Sequence, residues 1–214
     1  MRIKGIIFAI LIVLFCNMPV LAGHLDNFTQ DTTIKSALVL LENVGAREVF
    51  DNLQEISAKI EFYDLSAIAP NYANHFAINS VDSFGNRYIL INTKYKNASP
   101  EEIACLIAHE SCHKQAVATY EEEYTATKTE AYYWSRLKNR AKTYKNSALL
   151  SRLNNLSDLR SASTANSNLI ERKINNSNFY RNQLADSPAR TSTPEVSTEE
   201  VVVLPTFGSL IAAR

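Results

Sequence analysis

Histidine is scarce in this chain, with 4 in 214 residues, and cysteine is scarcer, with 3. Cys16 lies in the apolar run near the N-terminus, which leaves Cys105 and Cys112 for the body of the protein. They are seven apart on one expected helix, so their Cα atoms stand about 10.5 Å apart. A disulfide needs less than about 7 Å. A disulfide-stapled fold is therefore excluded, and both read as small apolar residues in a core. Excess charge of one sign is also missing, with 22 basic and 22 acidic side chains. Neither a basic stripe nor an aromatic-studded groove is present, which argues against a nucleic-acid partner. The apolar run over 6–15 is too short for a comfortable membrane span.

What the chain does have is two of its four histidines in one motif, His109-Glu110-Ser111-Cys112-His113. It continues the apolar stretch Ile103-Ala104-Cys105-Leu106-Ile107-Ala108. Ser99, Pro100 and Glu102 write a helix start: an N-cap, a proline at the first helical position and a capping-box glutamate. On a helix, positions four apart share a face, so two imidazoles can grip one Zn²⁺. Glu110 is turned about 100° from His109 and can reach a metal-bound water as general base.

Catalytic zinc needs a third protein ligand. Thr119 and Glu122 form a second capping box, so another helix is expected from there, with the first ending near Val117. Folding the two into an antiparallel hairpin about position 118 brings Glu123 opposite His113. Glu123 is the expected third ligand. Ala126, Glu130 and Trp134 share its face. Glu130 is the reserve, as ligand or as a carboxylate orienting a histidine N–H. Glu121 and Glu122 read as a solvated first turn favoured by the helix dipole. A Cys112 thiolate is the alternative ligand. His75, Tyr120, Tyr124, Tyr132 and Tyr133 are candidate stabilisers of an oxyanion, and the sequence does not choose among them; for His75 a structural role is the ordinary alternative.

Over roughly residues 60–135 the chain resembles the gluzincin metallopeptidases, in their minimal single-domain form. They carry H-E-x-x-H on one helix and a glutamate ligand on the next. His109, Glu110 and His113 match the first element, and Glu123 with Ala126 is similar to the E-x-x-A form of the second. The interval from His113 to Glu123 is shorter than in the better-known members. No third histidine follows closely, so the metzincin pattern is not met. The resemblance implies a zincin-like sheet beside the motif helix, with an edge strand that pairs with an extended peptide substrate.

The rest of the chain supplies the frame. Arg2 and Lys4, the apolar run and Pro19-Val20-Leu21-Ala22 read as a secretory signal peptide over 1–22, cleaved after Ala22. A lipid-attachment box ending at Cys16 competes, but Phe15 is bulky where a small residue is wanted. An uncleaved anchor is the other alternative. Cleavage leaves a side-chain charge of about −2. Residues 32–57 are helical by period, with an interruption at Gly45. Strands are expected over 59–65, 75–81 and 87–93, the last two joined by a turn containing Gly85 and Asn86. The class is α+β, a small zincin-like sheet packed on helices. A metallopeptidase domain is expected over 23–145, and a Ser/Asn-rich, partly helical extension over 146–185. Residues 186–214 read as a disordered linker and an apolar tail, which is a candidate strand for the cleft that would keep the enzyme latent.

These features together predict a secreted or periplasmic zinc metallopeptidase, acting as a monomer on peptide or protein substrates. Two alternatives stand beside it: a non-catalytic, metal-stabilised binding module, and a membrane-anchored interaction protein.

Overall fold

Asp31 opens the first helix. Its carboxylate accepts from the Thr33 and Ile34 N–H groups at 2.8 and 3.1 Å, which satisfies two donors that no helical carbonyl can reach. In the computed structural model, which describes residues 23–115, 118–140, 146–163 and 168–176, six helices and three strands follow in order. They are α1 (Thr32–Asn43), α2 (Arg47–Glu55), β1 (Lys59–Tyr63), β2 (Ala77–Val81), β3 (Arg87–Asn92), α3 (Pro100–Glu110), α4 (Tyr120–Leu137), α5 (Ala148–Ala162) and α6 (Leu169–Asn175). The architecture is α+β, and the strands fall within the expected windows. The expected signal segment and the linker and tail lie outside the described residues. Among the described residues no helix is long and apolar enough to cross a membrane.

The 32–57 pattern divides at Gly45. Its φ of +72° lets the chain leave α1 through a Schellman closure: Gly45 N–H donates to Glu42 O and Ala46 N–H to Leu41 O, at 2.9 and 3.0 Å. The same closure ends α2, but there the left-handed residue is Ser57, at φ 49°.

The sheet order is β1-β3-β2. β1 runs parallel to β3, pairing Ile60 with Ile89, and β2 runs antiparallel, pairing Asn79 with Ile89. Alternation puts Ile60, Ala77, Ile89 and Ile91 on the face that meets the helices. Leu90 turns to the other face, where Leu65, Tyr72 and Ile78 cover it. Both edges are not alike. Ile60 N–H donates to Phe28 O at 2.8 Å beside β1, whereas β2 has β3 on one side only among the described residues.

α3 is buried along its length, from Glu101 to Glu110. Such a helix is central rather than amphipathic; it packs on α1, α4 and the sheet. Its two buried N-terminal acids are expensive unless satisfied. Glu102 accepts from Ser99 N–H at 2.9 Å and from Ser147 Oγ at 3.3 Å. The helical pair after residue 145 joins this frame. Leu149 and Leu153 are fully buried in the main core, and Trp134 donates from Nε1 to Asn154 Oδ1 at 2.9 Å.

The two helix stops make opposite predictions. No atom lies within 4 Å of a Cβ built on Gly45, so Gly45→Ala acts through the backbone and costs about 1 kcal/mol. Ser57→Gly relieves a left-handed residue and stabilises by up to about 1 kcal/mol. Urea unfolding midpoints read both; a shift of the same sign in the two variants would contradict this account.

Candidate metal centre

α3 stops sooner than its apolar pattern suggests. It ends at Glu110, with Ser111 as C-cap, rather than near Val117. The reason lies in competing hydrogen bonds. A continuing helix would have Lys114 N–H donate to Glu110 O. Instead Lys114 N–H donates to Glu122 Oε1 at 3.1 Å, and Glu110 O accepts from Asn79 Nδ2 at 3.2 Å. The same amide reaches His113 O at 3.0 Å, and Arg87 Nη2 donates to Lys114 O at 2.6 Å. Cys112 and His113 then bond back to His109 O and Glu110 O, three residues earlier. His113 is therefore carried on a tightened turn just past the helix, still close to His109: the ring centroids are 5.3 Å apart.

α4 delivers the partner. Its capping box is present, and Glu122, expected to be solvated, spends both carboxylate oxygens on the Lys114 and Thr119 N–H groups. The next residue, Glu123, turns inward. Its Oε1 lies 3.6 Å from His109 Nε2 and its Oε2 lies 3.6 Å from His113 Nε2. Thr127 Oγ1 donates to Glu123 Oε1 at 3.3 Å. His109, His113 and Glu123 are all buried, and each offers a donor atom within 4.8 Å of the others. A tetrahedral zinc with ligands at 2.0–2.2 Å sets donor atoms about 3.4 Å apart. The observed separations fit such an ion with small adjustments.

Glu130 is fully buried and held from two sides. Arg152, from α5, donates Nε to Oε1 at 3.0 Å and Nη2 to Oε2 at 2.8 Å. His109 Nδ1 lies 3.1 Å from Oε2, close but out of hydrogen-bond alignment. Burial would push this carboxyl up; Arg152 and His109 outweigh burial and hold it at about 2. Burial alone would push the His109 imidazole down, yet Glu123 and Glu130 raise it well above the ordinary histidine range. Metal binding at His109 would compete with protonation of the same imidazole. Glu110 is buried, and desolvation pushes its carboxyl up against the pull of His109 and His113.

The remaining candidates are engaged elsewhere. Cys112 Sγ donates to Ala108 O at 3.4 Å and is not in the donor group; both Cys105 and Cys112 are free thiols. The His75 ring packs edge-on to Tyr72 at 5.1 Å, and Tyr72 covers the sheet face that carries Leu90. Tyr124 OH accepts from Asn168. Tyr132 OH accepts from Arg136 at 2.6 Å, and Tyr133 OH donates to Glu48 at 3.3 Å. Tyr120 packs with Leu156, Ile170 and Ile174. Sequence reasoning did not single out Asn79 or Arg152. A lone Asn in a strand and one Arg among the leucines of 149–159 carry no local signal of a role 22 or more residues away.

The Glu130 pair has a pH signature in metal-free protein. Its folded value of about 2 lies below the ordinary 4.5. The stabilisation is therefore complete above about pH 4.5 and drains as pH falls toward 2. Arg152→Met leaves a buried carboxylate without its counter-charge. It is expected to cost about 3 kcal/mol or more at neutral pH and to flatten the acid limb of stability. Urea unfolding from pH 7 to pH 2 measures both, and an unchanged limb would rule out the ion pair as its source.

No family model, no curated protein and no solved structure matches this chain.

Proposed function

We propose that the chain is an exported, zinc-dependent metallopeptidase. The observation that carries this reading is the convergence of His109, His113 and Glu123 on one buried point, with Glu110 in the same H-E-x-x-H turn. Two imidazoles and one carboxylate are the donor set of a catalytic zinc that keeps an open position. When bound, zinc supplies a Lewis acid for water and for the scissile carbonyl.

The chain's own groups do the rest. Glu110 takes a proton from the attacking water and returns it to the leaving amine. Its desolvated carboxyl, raised in pKa, is suited to both halves of that task. Glu130, gripped by Arg152, lies 3.1 Å from His109 Nδ1, on the side of the ring opposite the Nε2 that faces Glu123. Among the described residues the donor group has three members. That is the observation against a purely structural metal module.

β2 is the strand proposed to receive the peptide. Phe76 O accepts from Asn92 N–H, and Asp82 N–H donates to Asn86 O. By the alternation of antiparallel pairs, Ile78 and Ser80 then bond to β3, while Ala77, Asn79 and Val81 turn their backbone groups to the open edge. Asn79 also holds the motif turn, so this edge runs beside the metal centre. Export rests on the charged start, apolar run and Val20/Ala22 break of residues 1–22.

Metal analysis and peptidase assays on purified protein test the reading. About one zinc per chain is expected, lost in His109→Ala and Glu123→Ala. Glu130→Gln should keep the site with affinity weakened about 10- to 100-fold. Glu110→Gln should retain the metal and bring peptide hydrolysis down to background. Hydrolysis that survives Glu110→Gln would refute the assigned base. A wild type that takes up no metal would make the binding-module reading the better one.

A further inference from the structure

A concavity opens on another side of α4. It encloses about 780 Å³ between the α1–α2 turn, α4, the end of α5 and the start of α6. Helix period explains why it is distinct from the metal centre. Glu123, Thr127 and Glu130 occupy the buried face of α4, while Tyr124, Lys128 and Tyr132, spaced four apart, form a neighbouring stripe that lines the cavity. Its volume lies in the range of small-molecule sites.

The lining is unusual in its charge. Arg47, Lys128 and Arg160 converge on it, against the single carboxylate of Glu48. Glu48 accepts from Tyr133 OH. Among the described residues, none of the three cations takes part in an ion pair, although Lys35, Lys114 and Arg152 each do. In a chain with equal numbers of acids and bases, an excess of cations around one concavity gives it a positive potential that favours an anion. Two of the cations are also pre-positioned. The Lys128 ammonium sits 4.9 Å from the Tyr124 ring centre. The Arg160 guanidinium sits 5.3 Å from that of Tyr132. Stacking limits the rotamers of these long side chains, and so reduces what an incoming anion must order. Both rings already carry cations, Lys128 over Tyr124 and Arg160 and Arg136 over Tyr132, so recognition here rests on charge and hydrogen bonding. Tyr132 OH accepts from Arg136, which leaves its own proton to donate.

We propose that this cavity is a binding site for a small organic dianion, a phosphate monoester or a dicarboxylate, held by Arg47, Lys128 and Arg160. Both ligand types present oxyanions that match a guanidinium fork and an ammonium. The site is independent of the peptidase reading. It borders the metal centre through Thr129, which lines the cavity and immediately precedes Glu130 on α4.

Isothermal titration of the full chain with phenyl phosphate, and separately with succinate, tests the site. Titrations of metal-stripped and zinc-loaded protein separate it from the metal centre. Saturable binding of at least one probe is expected, equal in the two metal states. The preferred probe identifies the class. Lys128→Gln and Arg160→Gln alter exposed side chains and should each weaken binding about tenfold or more, with unfolding midpoints unchanged. The absence of saturable binding for both probes would overturn the proposal. So would binding unaltered in the two variants, or binding that appears only with zinc present.

Discussion

A carboxylate with no solvent around it is tolerated only if fixed charges replace the water it has lost. Glu130 meets that condition through Arg152 on one side and His109 on the other. The consequence is structural before it is chemical. Three helices, α3, α4 and α5, each contribute one member of a charge chain centred on the buried Glu130, and none can shift without exposing a deficit. Trp134, one turn further along α4 and also fully buried, ties the same helices by packing and by its bond to Asn154. The ion pair sets which faces meet, and the apolar core around Leu149 and Leu153 supplies the cohesion.

The sheet contributes in a different way. Its edge strand β2 offers no side chain to the donor group, yet Asn79 decides where α3 ends. By accepting the role of donor to two carbonyls, it replaces helical hydrogen bonds that the chain then forgoes. Glu122 does the same for the Lys114 N–H. His113 is thereby moved off the ideal helix and onto a turn whose backbone is held from both sides.

Much of this was readable from the residues. Capping boxes at Ser99 and Thr119 placed the starts of α3 and α4, because caps are local and stereochemically narrow. Alternation placed the strands, and Gly45 marked the break between α1 and α2. Counting residues through a hairpin pointed to Glu123, which does lie against both histidines. The end of α3 was not readable. Ser111 to Val117 contain no helix breaker, and the competing groups, Asn79 and Glu122, act from a strand and from the next helix. The anchoring of Glu130 was half legible: its face on α4 follows from period, but its partner comes from α5, a segment whose Ser/Asn-rich composition gives no sign that it joins the core.

The turn between α3 and α4 is pinned at each end. Arg87 grips the Lys114 carbonyl, while Glu122 takes the Lys114 and Thr119 amides into one carboxylate. Glu123 follows Glu122 directly, so the position of the third donor is set from the far side of the connection, not by the chain that spans it. The number of residues between the second histidine and the glutamate therefore carries no metric information.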